Sequence, residues 1–287
     1  MSAFPKFKAA CVQTEPKLAD KEANLEKILN RIDKVAQENV KLAVFPELSL
    51  TGYNCGEAFF ELAEKIPGPT TNKLEAKAKE HNMYFVVGMP EEGDVRGVFY
   101  NTVVFYGPDG IVGKYRKTHL ALYLKWEAVS QEPEIFRRGN KFYVYPTELG
   151  NIGMLICQDS DLSETWRVLT LMGAEVVTFS SASPDSFAYM WYHQKATMAY
   201  HNGIYIVACN SVGKESFTFR GQQMDEISFG GSVIVNPLGQ IIAQAAENQE
   251  DIITAEIDLA QVKQRRHETK LLRDRRPELY GIICKQD

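Results

Sequence analysis

The chain has 287 residues, 45% of them hydrophobic, and a formal net charge of −5. That is enough apolar material for a large core, in one big domain or two ordinary ones. No basic block exceeds Arg265-Arg266-His267 or Arg273-Asp274-Arg275-Arg276, and no apolar run reaches the ~18 residues of a membrane span, so nucleic acid and membrane are both excluded as main partners.

Phe7 to Gln13 reads as a strand. From Asp20 onward Leu25, Ile28, Leu29, Ile32, Val35 and Ala36 recur at helical spacing. Leu42 to Phe45 is a continuous apolar strand of the kind covered on both faces, and it stops at Pro46-Glu47. A second helix runs from Thr70 to His81, then a strand from Met83 to Gly88. Val98–Tyr106 and Ile111–Tyr115 flank Gly107-Pro108-Asp109-Gly110, a hairpin signal.

A further pair, Phe142–Tyr145 and Ile152–Ile156, brackets Glu148-Leu149-Gly150-Asn151. The second of these delivers Cys157 to its end and turns polar at Gln158-Asp159. Ser163 stands as the N-cap of the helix that follows. A cysteine at such a corner lies near backbone N–H groups and a helix dipole, which favour the thiolate. Glu175–Phe179 is a strand, and Ser183-Pro184-Asp185 opens a helix to about Asn202. Strands at Ile204–Cys209, Ser228–Val235, Ile241–Gln244 and Ile252–Ile257 follow, with a turn at Asn236-Pro237-Leu238-Gly239. The end of the chain is charged, a short helix and a tail.

Helices alternate with strands and hairpins throughout, which gives an α/β fold with mixed sheets. No glycine-rich phosphate loop follows any strand, so no nucleotide cofactor is expected. Cys11, Cys55, Cys157, Cys209 and Cys284 are too scattered for a disulfide framework or a zinc site. The N-terminal stretch lacks the apolar core of a signal peptide, and a cytoplasmic location is expected.

Three polar groups emerge at or just past the ends of apolar strands: Glu47, Lys117 and Cys157. Their surroundings are Phe45-Pro46-Glu47-Leu48-Ser49-Leu50-Thr51-Gly52-Tyr53, Lys114-Tyr115-Arg116-Lys117-Thr118-His119-Leu120, and Leu155-Ile156-Cys157-Gln158-Asp159 with Glu164 and Arg167 downstream. Together they resemble the nitrilase superfamily of carbon–nitrogen hydrolases over nearly the whole chain. Glu132-Pro133-Glu134-Ile135-Phe136-Arg137-Arg138-Gly139 is similar to that family's glutamate-x-x-x-aromatic-x-x-glycine segment, with Glu132 rather than Glu134 in the fourth catalytic position.

The resemblance implies a four-layer α-β-β-α sandwich with two mixed β-sheets, as one domain over residues 1–287. It also implies a homodimer or higher homo-oligomer, with the tail from about residue 260 used in subunit contacts. No metal or other cofactor is implied. The chemistry is that of a cysteine hydrolase of non-peptide C–N bonds. An amide carbon is a poor electrophile, so a thiolate must attack it and the developing oxyanion must be held. Cys157 is then the nucleophile and Glu47 the general base that later protonates the leaving ammonia or amine. Lys117 and the backbone N–H of Gln158 hold the oxyanion, and Glu132 orients Lys117, the substrate nitrogen or the hydrolytic water.

Family members acting on amides and carbamoyl groups carry an aspartate two residues after the cysteine, as Asp159 does here; nitrile-cleaving members carry Cys-Trp-Glu. A small carboxamide or N-carbamoyl substrate is therefore expected, with a nitrilase, or a silent scaffold member of the fold, as the alternatives. Asp161 stands where relatives often carry arginine, and Met198 and His201 where they carry arginine and glutamate. These departures point to a neutral or amine-bearing substrate. Tyr53, Asn54, Tyr123, Trp126, Ser181, Ser183, Trp191 and His193 are the candidate pocket wall, with Tyr53, Gln158, Asp161, Ser181 and Trp191 as the leading substrate contacts.

Overall fold

A computed structural model describes residues 4–122, 130 and 132–285. In chain order the elements are β1 (Lys6–Gln13), α1 (Lys21–Gln37), β2 (Val40–Val44), α2 (Phe59–Leu62), α3 (Pro69–His81), β3 (Tyr84–Glu92), β4 (Phe99–Gly107) and β5 (Gly110–Arg116). Then come α4 (Glu132–Ile135), β6 (Val144–Thr147), β7 (Gly150–Ile156), α5 (Ser163–Leu171), β8 (Val176–Ser181), α6 (Ala188–Asn202) and β9 (Tyr205–Asn210). The last are β10 (Val212–Phe219), β11 (Gln222–Phe229), β12 (Val233–Val235), β13 (Ile241–Gln244), β14 (Asp251–Asp258) and α7 (Leu259–Thr269).

Two six-stranded mixed sheets result, in the orders β14-β1-β2-β3-β4-β5 and β13-β12-β9-β8-β7-β6. Each has parallel strands at its centre and antiparallel strands at its edges. The alternation of side chains along a strand explains how they stack. In β1, Ala9 and Cys11 point into the core shared with the second sheet, while Ala10 and Val12 point to α1 and α3. Leu42 and Val44 against Ala43 and Phe45 divide in the same way. Both faces are covered, which is why these strands read as unbroken apolar runs. Helices α5 and α6 cover the outer face of the second sheet, with Trp166, Leu169, Trp191 and Ala199 turned inward. The layers are therefore α-β-β-α.

Several local expectations are corrected. The run Ser228–Val235 is two strands, because Gly230 and Gly231 both take positive φ and turn the chain between β11 and β12. An unforeseen hairpin, β10–β11, stands apart from both sheets as a two-stranded arm. Ser163 is the first helical residue and not the cap; its hydroxyl donates to Glu164. Pro184 does not begin the long helix either. A single 3-10 turn, Asp185–Phe187, intervenes, and Ser183 shares a hydrogen bond with Ser181 at 2.7 Å instead of capping.

No helix among the described residues is long and apolar enough to cross a membrane. After α7 the chain runs past α5 and α6, and the groove between them, about 850 Å³, is lined by Arg167, Leu171, Met198, His201, Leu271 and Tyr280 among others.

Candidate active site

Strand β2 ends and Pro46-Glu47-Leu48 crosses against β3. Gly88 makes this approach possible, since a Cβ there would sit 2.5 Å from the Leu48 nitrogen and 2.6 Å from the Pro46 carbonyl oxygen. Leu48 turns the chain with φ 47°, and the Glu47 carboxylate is left fully buried between the sheets. Its Oε1 accepts from Lys117 Nζ at 2.7 Å and from Asn101 Nδ2 at 2.7 Å, and its Oε2 from the Ala182 backbone N–H at 3.0 Å.

Lys117 follows β5 and is also fully buried. It donates to Glu132 Oε1 at 2.5 Å as well as to Glu47. Glu132 opens α4, accepts from Asn101 at 3.0 Å and, through Oε2, from the Ala121 N–H at 2.7 Å. Glu134, the other acid of that segment, is at the surface against Arg220. Gly139 lets the segment after α4 lie on the end of β5, with its N–H donating to the Lys117 carbonyl at 2.7 Å; a Cβ there would meet the Arg116 carbonyl oxygen at 2.2 Å.

Cys157 comes from the second sheet, at the end of β7. Its φ of 42° is in the left-handed region, which an L side chain adopts only when the surroundings enforce it, at a cost of about 1–3 kcal/mol. The enforcing group is Asp159. Fully buried, it accepts from the Ile156 N–H, the Tyr115 and Thr118 hydroxyls, and the backbone and ring nitrogens of His119. Asp159 thus braces the corner against the end of β5 and the residues on either side of Lys117, and His119 is part of that brace.

The electrostatics follow from burial. Taking a carboxyl out of water favours its neutral form, and burial pushes Glu132 up to about 7 even with Lys117 beside it. Burial works against the charge on Lys117 too, but the carboxylates of Glu132 and Glu47 outweigh it and hold the ammonium well above its ordinary value. Burial, then the Glu47 charge, push the Cys157 thiol up to about 12; Lys117 and a hydrogen bond with Ser181 offset only part of this. The thiolate expected at a helix terminus is therefore overturned. The turn Cys157–Asp161 is a short 3-10 segment, and carboxylates dominate its field.

A narrow cleft opens beside Cys157, about 50 Å³ in volume, lined by Tyr53, Gln158, Asp161, Ser183, Trp191 and Glu226 among others. Tyr53 hydroxyl shares a hydrogen bond with Ser130 at 3.0 Å, and the Lys117 ammonium is 5.9 Å from its ring centre. Gln158 and Asp161 meet through their side chains at 3.2 Å. Trp191 donates to the Gly231 carbonyl at 2.8 Å. Asn54 lies behind the wall, donating to Glu215 and Glu226 of the β10–β11 arm. His193 is exposed and packs on Tyr189, so it is no part of the wall. Met198 and His201 face the outer groove beside the tail, away from Cys157. Tyr123 and Trp126 lie outside the described residues.

Two residues of the site had not been singled out. Asn101, the polar interruption of an apolar strand, clamps both carboxylates. Lys195, buried in α6, lines the cleft with its ammonium over the rings of Phe179 and Trp191. The sequence signal for each is a lone hydrogen-bonding or charged residue at a position whose spacing faces the core.

The family model described as Carbon-nitrogen hydrolase matches residues 8–267. A protein named Nitrilase from Pyrococcus abyssi is 35% identical over 95% of this chain and 98% of its own length. An (R)-stereoselective amidase from a Pseudomonas species is 33% identical over 96% of this chain and 93% of its own. Among solved structures, a carbon–nitrogen hydrolase from Helicobacter pylori superposes with a TM-score of 0.87 at 25% identity, covering 98% of this chain and 99% of that one.

Proposed function

The chain belongs to the carbon–nitrogen hydrolase family, an enzyme family acting on non-peptide C–N bonds, and from that premise we propose a cysteine hydrolase that cleaves a small carboxamide or N-carbamoyl group through a thioester. The observation that carries this reading is the buried Lys117 ammonium held between Glu47 and Glu132, with Cys157 in the field of all three. Among the described residues its third N–H has no acceptor, and that donor is suited to a substrate carbonyl oxygen.

In this mechanism Cys157 rests as a thiol. Glu47 takes the proton as sulfur attacks the carbonyl carbon, and the C=O electron pair moves to oxygen, facing Lys117. Glu47 then returns the proton to the departing nitrogen as the C–N bond breaks, leaving a thioester and free ammonia or amine. Water, deprotonated by Glu47, attacks the thioester; the acid leaves and the thiol regains its proton. Glu132 positions Lys117 and the hydrolytic water. The narrow cleft suits a small acyl group and not a polypeptide.

Relatives named nitrilase support the nitrile alternative, and relatives named amidase support the amide. Asp159 does not separate the two by contact, since its hydrogen bonds all serve the Cys157 corner. Ammonia release from a panel of amides, ureido acids and nitriles tests the proposal, with intact-mass detection of an acyl adduct that disappears in Cys157→Ala. Silence across the panel in folded protein, or turnover surviving that substitution, rejects it. Assembly into homo-oligomers through the tail beyond about residue 260 is proposed on the same footing; a monomer by light scattering rejects it.

A further inference from the structure

Lys195 is 1% exposed, on the inward face of α6 with Trp191 and Ala199. Its ammonium has poor company. It donates to the Gln194 side-chain oxygen at 2.5 Å and, at a long 3.4 Å, to the Ser160 hydroxyl. The rings of Phe179 and Trp191 lie 4.2 and 4.3 Å away. Among the described residues no carboxylate comes within ion-pairing distance. A buried charge without a counter-ion is costly, and it persists where something supplies the counter-charge.

Gln194 shows how the site is arranged. Its carbonyl end accepts from Lys195 and Ser160, and its amide end donates to Asp161 at 3.0 Å and to the Ser160 carbonyl. One amide thus separates an exposed acid at the mouth of the cleft from a buried cation deeper in it. These two have opposite preferences for substrate charge, and solvent decides between them. At a given separation the attraction scales inversely with the effective dielectric, about 20 for a shielded site against about 80 in water. Lys195 therefore dominates Asp161.

We infer that Lys195 is the specificity-determining cation of the cleft, receiving the carboxylate of a substrate that carries an acid group in addition to its amide. The inference rests on the C–N hydrolysis proposed above and names its substrate class as monoamides of dicarboxylic acids. It reverses the preference that Asp161 alone suggests. Burial lowers Lys195 to about 7, partly offset by Asp161 and Cys157, so an arriving carboxylate also draws a proton onto the amine. The titratable groups facing it are Asp161 and Cys157 on the turn, with Glu226 of the hairpin arm lining the same cleft.

The test compares pentanamide with glutaramate, its equivalent ending in a carboxylate, in wild type and Lys195→Met. Wild type is expected to favour glutaramate, and the substitution to lower the ratio of the two kcat/KM values by about 30-fold or more, through KM for glutaramate. A ratio that moves less than about threefold, the scatter of context effects, overturns the inference. Should Lys195→Met fail to fold by circular dichroism, wild type from pH 6 to 8 decides: KM for glutaramate should rise relative to KM for pentanamide as the amine deprotonates. The ratio is needed because Glu132 titrates in the same range. A flat ratio overturns the inference. If wild type hydrolyses neither compound, the proposed reaction fails, and calorimetric binding of glutarate judges Lys195 alone. Binding at pH 6 that weakens by pH 8 supports it, and no binding at either pH overturns it.

Discussion

The side-chain amide of Asn101 donates to Glu47 Oε1 at 2.7 Å, and the same nitrogen reaches Glu132 at 3.0 Å. One amide, fixed near the start of β4, thus sets the spacing of two carboxylates, one just past β2 and the other at the start of α4. Hydrogen bonds to charged groups contribute about 1.5–3 kcal/mol each. Asn101→Ala is expected to reduce kcat/KM by about 10- to 100-fold and to shift the pH–rate profile, because Glu132, which burial raises to about 7, loses a donor. Steady-state kinetics across pH 5–9 check this. A lowered rate with an unmoved profile assigns Asn101 a packing role only.

Lys117 keeps two buried carboxylates company, so its removal strands them. Lys117→Met is expected to destabilise the fold by about 3–5 kcal/mol near pH 8. Burial already holds the Glu132 carboxyl above its unfolded value, and without the ammonium, which opposes that shift, it rises further. Its stability contribution is retained below the unfolded pKa, about 4.3, and is lost as pH climbs through the raised folded value. Urea denaturation at pH 5 and pH 8 should show the smaller deficit at pH 5; equal deficits contradict it.

At residue 157 the backbone and the chemistry make separate demands. The proposed mechanism needs the thiol for turnover, whereas φ 42° is easier for glycine than for any residue with a Cβ. Cys157→Ala and Cys157→Gly should both be inactive, with the glycine variant the more stable by about 1 kcal/mol. Thermal melts of the two proteins decide. An alanine variant that melts higher would mean that the corner is not strained.

Glu91, on β3, anchors the same open end of the β4–β5 hairpin, next to Asn101 and Lys117. Against the effect of burial, Arg116 at 2.6 Å and Lys114 at 2.5 Å hold its carboxyl below the usual range. A depressed acid stabilises the fold above its unfolded pKa and loses that contribution as pH falls through the folded value. Glu91→Gln should therefore cost stability at pH 7, and the deficit should shrink as pH falls through the lowered folded value of the parent carboxyl. A deficit independent of pH would show that only packing is lost.

Much of this was legible from residue order alone. The core strands announce themselves because both faces are covered, and the residues where they turn polar, Glu47 and Cys157, are those the folded chain brings together with Lys117. Glu132 was legible only through the family segment, since nothing local distinguishes it from Glu134. The β10–β11 arm escaped notice because exposed positions such as Lys214, Gln222 and Gln223 dilute any apolar alternation. Asn101 and Lys195 escaped for another reason. Their importance lies in what faces them across the fold, and a one-dimensional pattern carries no record of that. The helix starts near Ser163 and Ser183 misled because those hydroxyls found closer side-chain partners.

Glu47, Asn101 and Lys117 hang from one sheet, while Cys157 and Ser181 hang from the other, joined by contacts such as Ala182 to Glu47 at 3.0 Å and Ser180 to the Phe45 carbonyl at 2.8 Å. Neither half of the sandwich holds a working set by itself. A slip of the two halves past one another, too small to melt a single strand, would silence the molecule. Ammonia output should accordingly fade in mild denaturant well before far-ultraviolet ellipticity does, making turnover a gauge of how the halves are seated.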